Sequence, residues 1–260
     1  MKPDELNART QRWFVCAGFV STPLMFVGLA LARVIFPAHN AKWSANHIVH
    51  IYERHPNLVQ TGLVVAMIAF ALWGLWMAVI SMWIWRMESR RYPVLTIASI
   101  LLAAINVMVV EMMCLMYAVT AFRAGEINPQ ITLSLNDISW FLYYYTWPPY
   151  ILWLLVVAIA VFRDKSVPMV FPRWFGWLTI GTVVVILPNV VGAFPFAEKG
   201  PFAWDGFITF WLVAAAVGTW SLACDYLLMK AIGREGEKVK QYQKVVAPVA
   251  DVADGQGRDR

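Results

Sequence analysis

Val94-Leu-Thr-Ile-Ala-Ser-Ile-Leu-Leu-Ala-Ala-Ile-Asn106-Val-Met-Val-Val-Glu111-Met-Met-Cys114-Leu-Met-Tyr117-Ala-Val-Thr-Ala-Phe122 carries one charged side chain, Glu111, along its whole length. At a rise of about 1.5 Å per residue, a helix over this run outreaches the hydrocarbon core of a bilayer, about 30 Å thick. Its apolar residues are continuous rather than alternating, which excludes a membrane-barrel strand. Five further runs pass the same test, at residues 13–36, 60–85, 137–162, 173–195 and 206–231. The sequence therefore predicts an all-α polytopic membrane protein with six transmembrane helices.

Composition agrees. Of the 260 residues, 60% are hydrophobic and 14% charged, against about half and about a quarter in a soluble domain. So large an apolar share needs lipid as the solvent for much of the surface. Tryptophan, which gathers at membrane interfaces, occurs 14 times. The net charge of +5 forms no stripe; basic residues punctuate the ends of apolar runs and crowd the C-terminal tail. That pattern suits anionic headgroups and argues against a nucleic-acid surface. Cys16, Cys114 and Cys224 each lie inside an apolar run without a CxxC pair, so no disulfide framework is expected. The first run is too long for a signal core and lacks a small-x-small cleavage site, so it reads as a retained helix. Residues 1–232 form the transmembrane domain. Residues 233–260, charged and poor in large apolar side chains, read as a disordered cytoplasmic tail.

Lysine and arginine set the expected orientation. Lys2, Arg9 and Arg12 precede the first run; Arg86, Arg90 and Arg91 follow the second; Arg163, Lys165 and Arg173 follow the fourth; Lys230 through Lys244 follow the sixth. This bias places both termini in the cytoplasm of a bacterial inner membrane. The first outer loop keeps Arg33, Lys42 and Arg54 against that trend. Pro23, Pro188 and Pro148-Pro149 interrupt runs, which lipid permits where neighbouring groups satisfy the freed carbonyls. Neither an internal repeat nor a GxxxG pattern is evident.

All the histidines, His39, His47, His50 and His55, lie between Pro37 and Pro56 in that first outer loop. Ser44 is a natural N-cap and Pro56 cannot continue a helix, so residues 45–55 read as a short interfacial helix. Ile48, Ile51, Tyr52 and His55 share the face expected to pack on the bundle, and His47 and His50 fall on the wet side. His47 and His50 with Glu53 or His39 are weak metal candidates, because HxxH lacks the built-in base of HExxH and Arg54 would repel a cation. No metal is favoured.

Two more segments face the same side. In Asn136-Asp137-Ile-Ser-Trp140-Phe-Leu-Tyr143-Tyr144-Tyr145-Thr-Trp147-Pro148-Pro149-Tyr150, Asp137 is expected to open a helix, where a carboxylate suits the positive end. Trp140, Tyr144 and Trp147 then share a face as an interfacial belt or as the wall of an aromatic pocket. In Glu198-Lys199-Gly200-Pro201-Phe202-Ala203-Trp204-Asp205-Gly206, the turn places Trp204 over the bundle mouth. Glu111 lies past the middle of its run, where a carboxylate facing lipid is costly; it should face the bundle, be protonated or have a partner. Met108, Met112 and Met116 form a row beside it, suited to Cu(I) or to ordinary packing.

Four segments carry a resemblance: Asn136-Asp137-Ile-Ser-Trp140, Ala160-Val-Phe-Arg163-Asp164, Val170-Phe-Pro172-Arg173-Trp174 and Gly200-Pro-Phe-Ala-Trp204-Asp-Gly206. Together with Phe36-Pro37 and Tyr52-Glu-Arg-His55, they resemble an uncharacterised family of six-helix bacterial integral membrane proteins of actinobacteria and proteobacteria. The resemblance covers roughly residues 10–230 and implies a fold and a membrane location, with no activity attached. It extends to His55 and not to His39, His47 or His50, which weakens the case for a shared metal site.

The leading expectation is a protein that binds or translocates a small, mostly apolar molecule through an outward-facing aromatic cavity. Its candidate ligand-binding residues are Glu111, Asp137, Trp140, Tyr144, Trp147, Trp204 and His55. The alternatives are an integral membrane enzyme with a His/Glu site at the outer face and a non-catalytic accessory subunit of a membrane complex. No cofactor is assigned. Membrane lipids are the expected partners, with room for a homo- or hetero-oligomer and none for nucleic acid.

Overall fold

The computed structural model describes residues 3–35, 38–88, 92–190 and 199–255, with side chains described outside 3–6, 189–190 and 238–255. Among them the chain is helical, and its extended pairing is one isolated bridge between Ile35 and Ala38. The helices are α1 (Pro3–Leu31), α2 (Ala45–Arg54), α3 (Pro56–Met87), α4 (Val94–Phe122), α5 (Pro129–Tyr145), α6 (Trp147–Arg163), α7 (Arg173–Val190) and α8 (Val213–Gly255). A π-helical segment, Phe207–Leu212, runs directly into α8.

Five helical segments are long and apolar enough to cross a membrane: Asn7–Leu31, Pro56–Met87, Val94–Phe122, Pro129–Arg163 and Phe207–Glu237. The fifth expected run forms a shorter apolar helix, Arg173–Pro188; its predicted end at 191–195 lies outside the described residues. Also outside them are Phe36-Pro37, Arg90-Arg91, Glu198 and the last stretch of the tail, 256–260. The backbone of the tail up to Gly255 continues α8.

A helix follows Ser44 but ends at Arg54, one residue short of the expected 45–55, with the Ser44 hydroxyl accepting from the His47 backbone N–H at 3.3 Å. A second boundary differs too. Asp137 does not open a helix, because α5 begins two turns earlier, where Asn128 caps Gln130 N–H and Pro129 stands in the first turn. A side-chain cap followed by proline is the stronger start signal. The consequence is that Asn136, rather than Asp137, turns inward.

Small residues bring α1 and α3 into backbone contact. A Cβ on Gly62 would lie 2.4 Å from Ala32 N, and one on Gly28 would lie 2.6 Å from Ala66 N. Gly28-xxx-Ala32 therefore meshes with Gly62-xxx-Ala66, a small-xxx-small pairing that a search for GxxxG passes over. Elsewhere polar side chains tie apolar helices together. Ser81 and Ser99 hydroxyls pair at 2.7 Å, Trp153 Nε1–H donates to Ser99 at 3.0 Å, and Trp220 Nε1–H donates to Thr179 at 2.8 Å. At one helix end, the Glu88 carboxylate accepts from the Leu95 and Thr96 amides, capping α4.

The interior divides into two apolar clusters. One, toward the α2 end of the bundle, gathers Leu63, Phe70, Tyr117, Trp140, Tyr144 and Trp204 among others. The second, toward the opposite end, is built on Trp76, Trp153, Phe171, Phe175 and Trp220. Trp73 and Trp147 pack against both.

Because the Gly62 contact is with backbone rather than with a flexible side chain, Gly62→Val must push α1 and α3 apart. The expected cost is about 1–3 kcal/mol or more. A lowered thermal unfolding midpoint in detergent, unmatched by Gly233→Val, where a Cβ meets nothing within 4 Å, checks this.

Candidate functional site

Where the two clusters meet lies a cavity of about 130 Å³. Its walls come from α1 (Ser21, Thr22), α3 (Trp73), α4 (Asn106), the α5–α6 region and the start of α8. Two breaks in helical regularity border it. Between α5 and α6 the chain departs from helix at Thr146, whose hydroxyl donates back to the Leu142 carbonyl. Opposite, the π-helical segment contributes Thr209 and Phe210. In hydrocarbon, backbone irregularity survives where it is covered by protein or lines a cavity, and π-segments recur at functional sites.

Several polar groups in this wall are satisfied locally. Ser21 donates to the Gly18 carbonyl at 2.7 Å, Asn106 Nδ2–H to the Leu102 carbonyl at 2.7 Å, and Thr209 to the Phe202 carbonyl at 3.0 Å. Two are not. The Tyr150 hydroxyl and the Trp147 indole N–H are buried without a hydrogen-bond partner among the described residues. Leaving such a donor unmet costs about 1–3 kcal/mol each. A smaller void of about 20 Å³ lies beside it, with Tyr143 lining both. It borders another unmet pair, the Tyr117 hydroxyl and Trp140 Nε1–H. Its size suits one water molecule, which needs roughly 10–15 Å³ or more.

Above the cavity the aromatic residues expected to form an open pocket are instead stacked shut. Trp140 lies between Tyr144 (centroids 5.8 Å, planes 8° apart) and Trp204 (5.5 Å, 12°). All three are buried. The Tyr144 hydroxyl donates to the Trp204 carbonyl at 2.6 Å, and Trp204 Nε1–H donates to the His39 carbonyl. Of the predicted aromatics, Tyr144 and Trp147 reach the cavity. The break at Thr146 puts Trp147 at the start of a new helix, which continuous helical spacing does not foresee.

The histidines also sort differently from expectation. His55, read as packing on the bundle, is exposed at the α2–α3 junction; so are His47 and His50. The reason is that α2 ends at Arg54, so His55 leaves the helical register as a cap with φ −146° and ψ 64°. The buried one is His39, fully enclosed with Nδ1 2.8 Å from Asn136 Oδ1 and Nε2 2.8 Å from the Arg33 carbonyl. Tyr52 donates to the same Asn136 oxygen at 2.9 Å. Asn40 Nδ2–H reaches Asp205 at 2.9 Å, fastening this loop to the turn that carries Trp204. Glu53 lies against Gly125, whose φ of +81° and missing Cβ leave room for that carboxylate. Among the described residues no three His, Cys, Asp or Glu side chains gather as a metal site.

Glu111 does not line the cavity. It is half-buried on the face of α4 where Met108, Met112 and Leu115 are exposed. Asp137 is half-buried beside Asn136 in mid-helix. The carboxylate that the sequence reading missed is Asp225. It is 7% exposed within α8 and accepts from Trp76 Nε1–H at 2.5 Å. Trp76 in turn stacks with Trp73 on the cavity wall, centroids 6.4 Å apart. Ser221, Gly218 and Asp225 share one face of α8 by their i, i+3, i+7 spacing, which is the signal that could have found it.

No family model, no curated protein and no solved structure matches this chain.

Burial holds the His39 imidazole down, from 6.5 to about 4, against hydrogen bonds to Asn136 and Arg33 that favour the charged ring. The folded protein thus binds this proton less readily than the unfolded chain. Stability from this group is full above pH 6.5, falls between pH 6.5 and 4, and levels off below, a loss of about 3 kcal/mol. Unfolding followed by tryptophan fluorescence should show that decline, and His39→Gln should flatten it. For Asp225, Asn keeps an oxygen for the Trp76 N–H, whereas Leu leaves that donor unmet. Asp225→Leu should therefore lose about 1–3 kcal/mol more than Asp225→Asn, measured by the same unfolding assay.

Proposed function

We propose that this chain is a multi-pass protein of a bacterial inner membrane that binds or translocates a small, mostly apolar molecule. In this reading six spans cross the bilayer, α7 being the short one. Both termini are cytoplasmic, and α2 lies along the outer interface with its exposed histidines toward water. The five long apolar helical segments support the membrane location. The excess of Lys and Arg beside alternate loops supports the orientation.

The observation that carries the functional reading is the cavity itself. It lies within the bundle, between two closely packed clusters, and is bordered by a helix break and a π-segment. A void lined mainly by aromatic and aliphatic side chains with a few convergent polar groups is the usual form of a small-molecule site. Its volume of about 130 Å³ approaches the roughly 150 Å³ that accepts benzene in an engineered protein core. The Tyr144–Trp140–Trp204 stack then acts as a cover toward the outer side, held by the His39 loop. This replaces the open outer pocket expected from sequence with a site one layer deeper.

Gly218 provides the test. It lines the cavity, and a Cβ there meets nothing within 4 Å, so a larger side chain enters the void rather than a neighbour. Wild-type protein purified from native membranes should carry a small apolar molecule detectable by mass spectrometry. Gly218→Leu should fold and lose most of it. Equal content in both proteins, or none in either, would overturn the reading.

A further inference from the structure

Asp225 is a buried acid to which the cavity reading gives no task. It is 7% exposed, and its carboxylate accepts from Trp76 Nε1–H at 2.5 Å. A Cβ on Gly18 would overlap the Trp76 ring, so α1, α3 and α8 close together around this pair. The pair is far from the helix ends. Gly18 and Trp76 each stand at least eleven residues from either end of the apolar segments Asn7–Leu31 and Pro56–Met87.

The surrounding helices bring it no counter-charge. Residues 13–31, 56–85, 147–162 and 174–188 contain no Asp, Glu, Lys, Arg or His. The titratable groups of the packed elements are Arg9, Arg12 and Cys16 of α1, all exposed; Tyr150 of α6; and, on α8, buried Cys224 with exposed Tyr226 and Lys230. The charged groups at that end of the bundle are engaged elsewhere. Arg86 pairs with Glu235, Arg173 donates to the Val161 carbonyl, Arg234 donates to the Val170 carbonyl, and Asp164 accepts from the Ser166 and Val170 amides. The histidines of α2 lie at the opposite end. An ionised Asp225 thus has an indole N–H and no cation to offset its burial, whereas the neutral acid keeps an oxygen for the same N–H.

This acid stands one helical turn from the cavity. Ser221, four residues before it on α8, lines the cavity; so does Trp73, whose ring centroid lies 6.4 Å from that of Trp76 with the planes 18° apart. Water in the cavity favours a nearby negative charge, and an apolar occupant removes that water. The occupant and a proton on Asp225 therefore favour one another, and by linkage each raises the affinity for the other by the same factor. We propose that Asp225 is a proton-binding site coupled to the cavity, so that the protein takes up a proton as an apolar ligand binds. The step forms one O–H bond between a carboxylate oxygen and a solvent proton, and no other bond changes. The proposal rests on the reading of the cavity as a site for a small apolar molecule. It adds the ion that moves with that molecule, a task that acids within membrane spans commonly serve.

Benzene, which suits a void of this size, is the probe. Full-length protein in detergent is titrated with it by calorimetry, in buffers of different ionisation heat. Benzene affinity should fall about fivefold or more as pH rises from about 5 to about 9, with a proton taken up on binding. Asp225→Asn keeps an oxygen for Trp76 and cannot ionise. It should hold the low-pH affinity at every pH, which also shows that the variant is folded. In wild-type protein, benzene should raise the infrared carbonyl band of a protonated carboxylic acid, and carbon-13 labelling of aspartate should shift that band. An affinity independent of pH with no proton taken up, or a pH dependence unchanged in Asp225→Asn, overturns the coupling and leaves the apolar cavity standing. A band that labelled aspartate leaves in place overturns it too, even where the variant does not fold. No benzene bound at any pH overturns both readings.

Discussion

A backbone group released from its helix among apolar side chains has few partners to turn to, and this constraint organises the molecule. Every irregularity within an apolar segment must be covered by protein or must line a space that supplies partners. Here the break at Thr146 and the π-segment at Phe207–Leu212 both border the same cavity. The Thr146 hydroxyl returns to the Leu142 carbonyl, and Thr209 closes on Phe202. Two side-chain donors beside the cavity, the Tyr150 hydroxyl and the Trp147 indole N–H, stay buried without a partner among the described residues.

Much of the architecture was legible in the chain, because long continuous apolar runs report helices with little competition from other folds. The start of α4 at Val94 and its end at Phe122 match the apolar run. The short helix after Ser44 was legible from its cap and from Pro56. Helix α5 was misplaced because its first turns, Pro129 to Asn136, are too polar to count as an apolar run, although Asn128-Pro129 carries the start signal. The α1–α3 crossing was hidden because the small residue opposite each glycine is alanine.

The site was harder to read. Fixed helical spacing put Trp140, Tyr144 and Trp147 on one wall; Tyr144 and Trp147 line the cavity, while Trp140 is enclosed in the stack with Tyr144 and Trp204. The histidine cluster drew attention by its count, yet the one histidine inside the protein is His39, which precedes the predicted helix and is held by contacts to residues far away in sequence, Asn136 among them. Long-range pairings of that kind leave no local pattern. Asp225 escaped notice because it lies near the charged end of the last apolar run, where a carboxylate looks ordinary; its burial comes from Trp76, on another helix.

Two cores that meet through Trp73 and Trp147 need not melt together. The layer around Trp140 owes its cohesion to a stack and to the loop that carries His39. The layer around Trp220 owes its own to α7 and α8 closing over Trp153. Cooperative units in proteins tend to follow such contiguous packing. The void at their junction is then more than a container. It lies against Trp73 and Trp147, the side chains that pack on both layers, and so marks where one layer would be expected to loosen first while the other holds.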